Sequence, residues 1–300
     1  MIDKLEFVLA LARERHFGRA AEACGVTQPT LSAGLKQLED MLGVRLVDRG
    51  SRFQGFTAEG ERVLDWARRI VGDSRAMRQE INALKKGLSG HLKIAAVPTA
   101  LPIVAALTTP FRVRHPDVSF TIVSRTSLSI LTQIENLDVD VGITYLDNEP
   151  LGRVKSFPLY EEQYLLLTGK DGPFAQRTSA TWKEAAQLPL CLLSADTQNR
   201  RIIDRLLGPA GERPSPSLES DSATALIAHV QTGAWSSIVP RQFADLFNLS
   251  NVKALPLTDP EARHTIGLVV VERDPLTPLI AAFLGEARLL APLGLSKEQR

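Results

Sequence analysis

The stretch from Phe17 to Leu42, FGRAAEACGVTQPTLSAGLKQLEDML, joins two short helical patterns through a turn too tight for ordinary packing. Ala20, Ala21 and Ala23 keep one face of the first helix small, Gly25 permits a positive φ at its end, and Val26 fills the angle between the helices. Thr27 caps the next helix, with Pro29 in the first turn, where its missing N–H costs nothing. Leu31, Leu35, Leu38 and Leu42 recur at three or four residues and predict one buried stripe. The other face carries Thr27, Gln28, Pro29, Thr30, Ser32 and Lys36, small hydrogen-bonding groups and one cation near a helix N-terminus, which suits a major groove. The pattern is a helix-turn-helix, and the partner it predicts is double-stranded DNA.

Outward from this stretch, residues 3–15 set Leu5, Phe7, Val8, Leu11 and Ala12 on one face of a supporting helix. After Leu42 the run GVRLVDRGSRFQGFTAEG alternates and turns at Gly50-Ser51, the pattern of a β-hairpin wing. Arg49 and Arg52 belong to its tip and are the expected phosphate or minor-groove contacts. Thr57 opens a helix predicted to run to about Leu88. Within it Val63, Ile70, Met77 and Leu84 stand seven apart, and Ala67, Ser74, Ile81 and Leu88 form a second series displaced by four. That is a heptad seam, which predicts a partner helix from a second subunit. Trp66, Leu64 and Val71 lie off the seam and are expected to pack back on the wing domain.

Gly87 and the Ser89-Gly90 step end this helix, and the pattern changes to apolar runs of strand length alternating with helices. The runs are 92–97, 118–123, 139–144, 163–168, 188–193, 236–239, 252–257 and 265–271; helical patterns fall at 99–114, 127–137, 197–207 and 222–232. An α/β fold with a largely parallel sheet is expected. Ligands in such sheets bind where strands end and the next helix presents free N–H groups. Thr99, Ala100, Ser127, Thr144, Thr197 and Gln198 sit at these corners and are candidate effector contacts. Trp235 is a candidate pocket wall. Hydroxyls and N–H groups gathered there favour a small anionic or strongly polar metabolite.

The run AAEACGVTQPTLSAGLKQLEDMLGVRLVDR, followed by FTAEGERVL, resembles the N-terminal domain of LysR-type transcriptional regulators. An Ala-Ala pair, a Gln-Pro-x-Leu-Ser core, a Leu-Glu ending and a closing Thr-x-x-Gly occur in order. Ala33 and Gly34 depart from the longer polar side chains the family more often carries there. Gly34 costs about 1 kcal/mol of helix propensity relative to Ala, so its backbone is expected to approach DNA or a neighbour closely. The resemblance implies a winged helix-turn-helix over 1–58, a linker and dimerisation helix with hinge over 59–90, and a two-lobed, periplasmic-binding-protein-like effector domain over 91–300. Its lobes would comprise 91–161 with 267–300, and 162–266. It also implies dimerisation through Val63, Ile70, Met77, Ile81 and Leu84, assembly into a dimer of dimers, and RNA polymerase as a further partner.

Length and composition fit this organisation and narrow the alternatives. The 300 residues suit two or three domains, and 44% hydrophobic content allows each a core. A net charge of +1 does not itself announce a nucleic-acid binder, and the basic excess lies over residues 61–88. Cys24 and Cys191 are the two cysteines, which excludes a disulfide scaffold and suits a reducing cytosol. No charged leader with an apolar core and no membrane-length apolar run occurs, so a cytoplasmic protein is expected. The five histidines have no zinc spacing, and no G-x-S-x-G, G-x-G-x-x-G or phosphate-loop motif is present, so neither catalysis, metal nor cofactor is expected. The competing readings are an architectural DNA-binding protein whose C-terminal domain only oligomerises, and an enzyme with an accessory winged helix.

Overall fold

The computed structural model describes all residues except 50–52, 148–149, 209–214, 248 and 295–300, together with the side chains of 49, 86 and 290–294. The chain divides into two compact units. One is Met1–Gly87 with Glu135–Asp138 and Leu276–Pro278; the other holds the remainder.

In the N-terminal unit, α1 (Ile2–Glu14), α2 (Phe17–Ala23) and α3 (Gln28–Leu42) precede a hairpin of β1 (Val47–Arg49) and β2 (Phe53–Phe56), then α4 (Ala58–Lys86). Leu5, Val8 and Leu11 of α1 pack with Ala20, Ala21, Leu31, Leu35 and Leu38 in one core, with Val26 against it. Gly25 takes φ 68° between α2 and α3. Leu42 does not complete the expected stripe: it is exposed, since α3 has by then passed the core. Gly34 is explained by a neighbour. A Cβ there would lie 2.7 Å from the Phe7 ring of α1, so the glycine lets α1 and α3 approach.

The hairpin is locked to both flanking helices. Buried Glu39 accepts from the Leu46 N–H at 2.9 Å, and Thr57 donates its hydroxyl to Arg45 O at 2.6 Å while capping α4 at Gly60 N. A Cβ on Gly60 would lie 2.0 Å from Leu46 O, so the closing glycine is required by close backbone approach. These bonds account for the Leu-Glu and Thr-x-x-Gly signatures in physical terms.

The long helix corrects part of the heptad reading. Leu64, Ala67 and Val71 are buried in the unit's own core, with Val63 and Ile70 half-buried beside it. Ala67 therefore belongs to an intramolecular stripe, and Leu88 falls beyond the end of α4 at Lys86. Trp66 does not pack back: it is 59% exposed, with the Arg69 guanidinium 5.3 Å from its ring centroid. Met77, Ile81 and Leu84 are 60%, 47% and 79% exposed, an apolar strip on the C-terminal half of the helix.

The second unit runs β3 (Gly90–Ala96), a 3-10 turn (Pro98–Ala100), α5 (Leu101–Arg114), β4 (Val118–Ser124), α6 (Ser127–Glu135), β5 (Val141–Tyr145) and β6 (Val154–Gly169). It continues with β7 (Ala180–Thr181), α7 (Trp182–Ala185), β8 (Cys191–Leu193), α8 (Gln198–Leu207), β9 (Leu218–Ser220) and α9 (Ala223–Gln231). The last elements are β10 (Ser237–Pro240), α10 (Arg241–Ala244), β11 (Val252–Thr258), β12 (Arg263–Val271) and α11 (Pro278–Gly294). The sheet order is β4-β3-β5-β12-β6-β11-β7, with β10 also on β6 and a separate β8-β9 pair. The sheet is mixed rather than largely parallel: β12 with β5 and β6, and β6 with β10 and β11, are antiparallel. The long strand β6 serves both ends, pairing over Val154–Gln163 with β12 and over Tyr164–Gly169 with β10 and β11.

Gly34→Ala improves helix propensity by about 1 kcal/mol but drives a methyl into the Phe7 ring, and overpacking of this kind costs about 1–3 kcal/mol. A lower urea midpoint for Gly34→Ala, restored when Phe7→Leu is added, is the expected outcome; equal or higher stability of the single variant contradicts the close approach.

Candidate DNA-reading face and effector cleft

The cap of α3 forms as its sequence dictates. Thr27 Oγ1 lies 3.4 Å from the Thr30 N–H and 2.9 Å from Thr30 Oγ1, so these two hydroxyls are largely spent on the cap. Thr27, Gln28, Pro29, Thr30 and Lys36 are exposed and Ser32 is half-buried, so all six candidate contacts share the outer surface of α3. The Gln28 side chain makes no hydrogen bond among the described residues, leaving its amide to offer a donor and an acceptor together. Arg49 ends β1, but its side chain and all of Arg52 lie outside the described residues.

In the second unit, a cleft of about 820 Å³ is lined on one side by the β3–α5 and β4–α6 corners and on the other by the β8–α8 and β9–α9 corners and the α10 region. Of the sequence candidates, Thr197 lines it. It donates to Ser194 O at 2.8 Å and caps α8 at Arg200 N, 3.3 Å away. Arg200, buried, fixes this corner through Leu193 O, Glu219 and Asp204 at 3.0, 2.9 and 2.8 Å. Thr99, Ala100, Ser127, Thr144 and Gln198 are buried and do not line the cleft. Ser127 Oγ, Thr144 Oγ1 and Gln198 Nε2 have no hydrogen-bond partner among the described residues. Trp235 lies elsewhere, edge-on to His229 with centroids 6.0 Å apart and packed against a core cluster.

Behind the corners sits a group that the sequence does not announce. Glu162 of β6 is fully buried, accepting from Thr99 Oγ1 at 3.3 Å and from the Tyr145 hydroxyl at 2.7 Å; Asn199 donates to the Tyr145 oxygen at 3.3 Å. Burial pushes the Glu162 carboxyl up to about 7, against the opposing pull of these donors. Burial also raises Tyr145 well above the usual tyrosine range, with the Glu162 charge adding to it. Sequence reasoning marked the corners because caps and ligand donors are the same chemical groups. It passed over Glu162, which stands in a Glu-Glu-Gln run resembling a solvated edge.

A winged helix-turn-helix joined to an α/β unit with a cleft at its strand ends defines a transcriptional regulator with a ligand-binding domain. Residues 2–61 match the family model described as bacterial regulatory helix-turn-helix protein, lysR family, and residues 85–290 match the LysR substrate binding domain. The DNA-binding transcriptional dual regulator OxyR of Escherichia coli K12 is 30% identical over 280 residues, covering 92% of this chain and 90% of OxyR. A hydrogen peroxide-inducible genes activator of Haemophilus influenzae is 28% identical, covering 92% of each chain. A full-length OxyR variant from Pseudomonas aeruginosa has the same fold, with TM-score 0.77, 25% identity and coverage of 100% and 99% of the two chains. CbnR bound to its target DNA shares the fold at TM-score 0.60 and 21% identity, with coverage of 97% and 100%. The chain belongs to the LysR family. It is a DNA-binding transcriptional regulator controlled by a small-molecule effector.

No helix among the described residues is long and apolar enough to cross a membrane, and no group of three or more His, Cys, Asp or Glu among them is placed to hold a metal ion.

Because folding raises the Glu162 carboxyl from its ordinary 4.5 to about 7, the unfolded chain loses this proton first as pH rises. Its contribution to stability is therefore complete below pH 4.5 and falls by about 1.4 kcal/mol per pH unit until about pH 7, roughly 3 kcal/mol in all. Glu162→Gln should show a flatter melting temperature than wild type between those limits; parallel profiles would show that the carboxyl is not buried as described.

Proposed function

We propose that the exposed start of α3 reads operator bases in the major groove, and that a small polar metabolite held in the cleft of the second unit sets how the DNA is bound. The observation that carries the ligand half is the cleft of about 820 Å³, lined by the hydroxyl-bearing residues Ser124, Thr126, Ser129, Ser194, Ser222 and Thr224. The lobes are taken as 91–161 with 267–300, and 162–266, because β6 changes sheet partners at Gln163–Tyr164. The protein works in the cytoplasm, binding its effector without turning it over.

The Haemophilus influenzae relative is named a hydrogen peroxide-inducible genes activator, and direct sensing of an oxidant by a thiol would need an accessible thiolate. Cys191 is buried, its Sγ 3.4 Å from Ser236 O, and burial pushes its thiol up; Cys24, half-buried in the other unit, is pushed up by the same cause. We infer that this regulator binds its signal rather than being oxidised by it.

The strip Met77, Ile81 and Leu84, with Val63 and Ile70 at its base, supplies the contact between subunits, and pairs of dimers supply the larger assembly. RNA polymerase is the downstream partner. Replacing Ile81 by Lys puts an ammonium into that contact, where an unpaired charge costs several kcal/mol. Sedimentation at low micromolar concentration should show monomer; a persistent dimer places the contact elsewhere.

For the reading helix, Gln28→Ala should weaken operator binding by about 1–3 kcal/mol, the worth of a bidentate amide contact, and leave random-sequence binding nearly unchanged. Equal losses on both DNAs in a shift assay at fixed salt would make Gln28 a positioning residue and not a reader.

A further inference from the structure

The charges in the cleft specify more than polarity. Asp196 lies immediately before the α8 cap and Asp221 immediately before the α9 cap; both are exposed, and neither makes an ion pair among the described residues. On the other side Arg125 donates to Ser124 O at 2.7 Å through Nη1 and makes no ion pair among the described residues, so the rest of its fork can meet a carboxylate. Phe243, Leu246 and Phe247 add an apolar stretch to the lining, with the two rings 5.1 Å apart and Leu246 exposed between them in sequence.

A plain anion entering this cleft meets two carboxylates for one guanidinium, and like charges in a partly desolvated site select against it. A plain cation leaves Arg125 without a partner. Resting on the cleft as the effector site, we propose that the effector is a zwitterion with an apolar body: an ammonium facing Asp196 and Asp221, a carboxylate facing Arg125, and a hydrocarbon or ring against Phe243, Leu246 and Phe247. This is the chemistry of an apolar α-amino acid or a short apolar peptide. Opposed charge pairs of this kind set specificity more than raw affinity. An acid just ahead of a helix also stabilises the helix dipole, a role that a melting curve separates from binding.

The test is calorimetric titration of the full-length protein with three probes that share one body and differ in charge: phenylalanine, phenethylamine and 3-phenylpropanoate. Phenylalanine should bind at least about tenfold more tightly than the amine, and the acid most weakly. Asp221→Asn and Asp196→Asn should each lower phenylalanine affinity by about tenfold with little change in melting temperature, and Arg125→Ala should narrow the preference over the amine. Binding of the acid equal to or tighter than phenylalanine, lost in Arg125→Ala, overturns the zwitterion and leaves the cleft standing. Binding of no probe at millimolar concentration likewise overturns the zwitterion. Binding that survives Asp221→Asn, Arg125→Ala and a cleft-filling Thr224→Trp overturns the cleft as the effector site.

Discussion

The hydrogen-bonded backbone of β6 is the constraint on which the second unit depends. One strand pairs with β12 and then with β10 and β11, so neither sheet segment can shift without passing the displacement through a strand committed to the other. Glu162 stands beside the point where the partners change, opposite His264 in register, and its carboxyl is the side-chain counterpart of that backbone link. Thr99 and Tyr145 reach it from corners far away in sequence, and Asn199 joins through Tyr145. A carboxyl with no surface exposure is costly when ionised, so the site favours the protonated acid until near neutral pH. Three strand ends, those of β3, β5 and β8, are thereby tied to one strand.

The N-terminal unit was legible because its determinants are local. Caps, a turn glycine and a leucine period act over four or five residues, and Thr27, Gly25, Leu31, Leu35 and Leu38 stand where these rules put them. Gly34 was visible as an anomaly but not as a solution, since Phe7 approaches from another helix. The seam on α4 was half misread for a geometric reason. Residues four apart sit about 40° apart around a helix axis, so the stripe Leu64, Ala67, Val71 and the stripe Val63, Ile70 adjoin, and spacing alone does not say which faces inward.

In the second unit, apolar runs announced burial but not strand direction, which explains why a mixed sheet was taken for a parallel one. The first half of β6, VKSFPLY, escaped notice because exposed residues and Pro158 interrupt its apolar character; β7 and β9 are too short to show a period. The cleft corners were found because hydroxyls before helices are conspicuous. Arg125, Asp196 and Asp221 lie within or beside those corners, but an acid or base in a loop looks like solvated surface until the fold gathers it with others. Glu162 had no signal at all, because its neighbours come from β5, α8 and the turn after β3.

How such a cleft can govern DNA follows from where its walls arise. A ligand changes a conformational equilibrium only by the difference between its affinities for the two states, so one held wholly by the β4–α6 corner would bind and shift nothing. The lining draws on corners of the main sheet, after β3 and β4, and on corners of the separate β8-β9 pair, so a ligand touching both would gain contacts if they approached. Reversing a hundredfold bias takes about 5.5 kcal/mol of differential binding, more than one hydroxyl supplies and within reach of two charge pairs and an apolar contact made in only one state. The coupling is reciprocal as well. If the effector changes operator affinity by a given factor, operator DNA changes effector affinity by the same factor, so the cleft of a DNA-bound protein is thermodynamically a different receptor from the cleft of the free one.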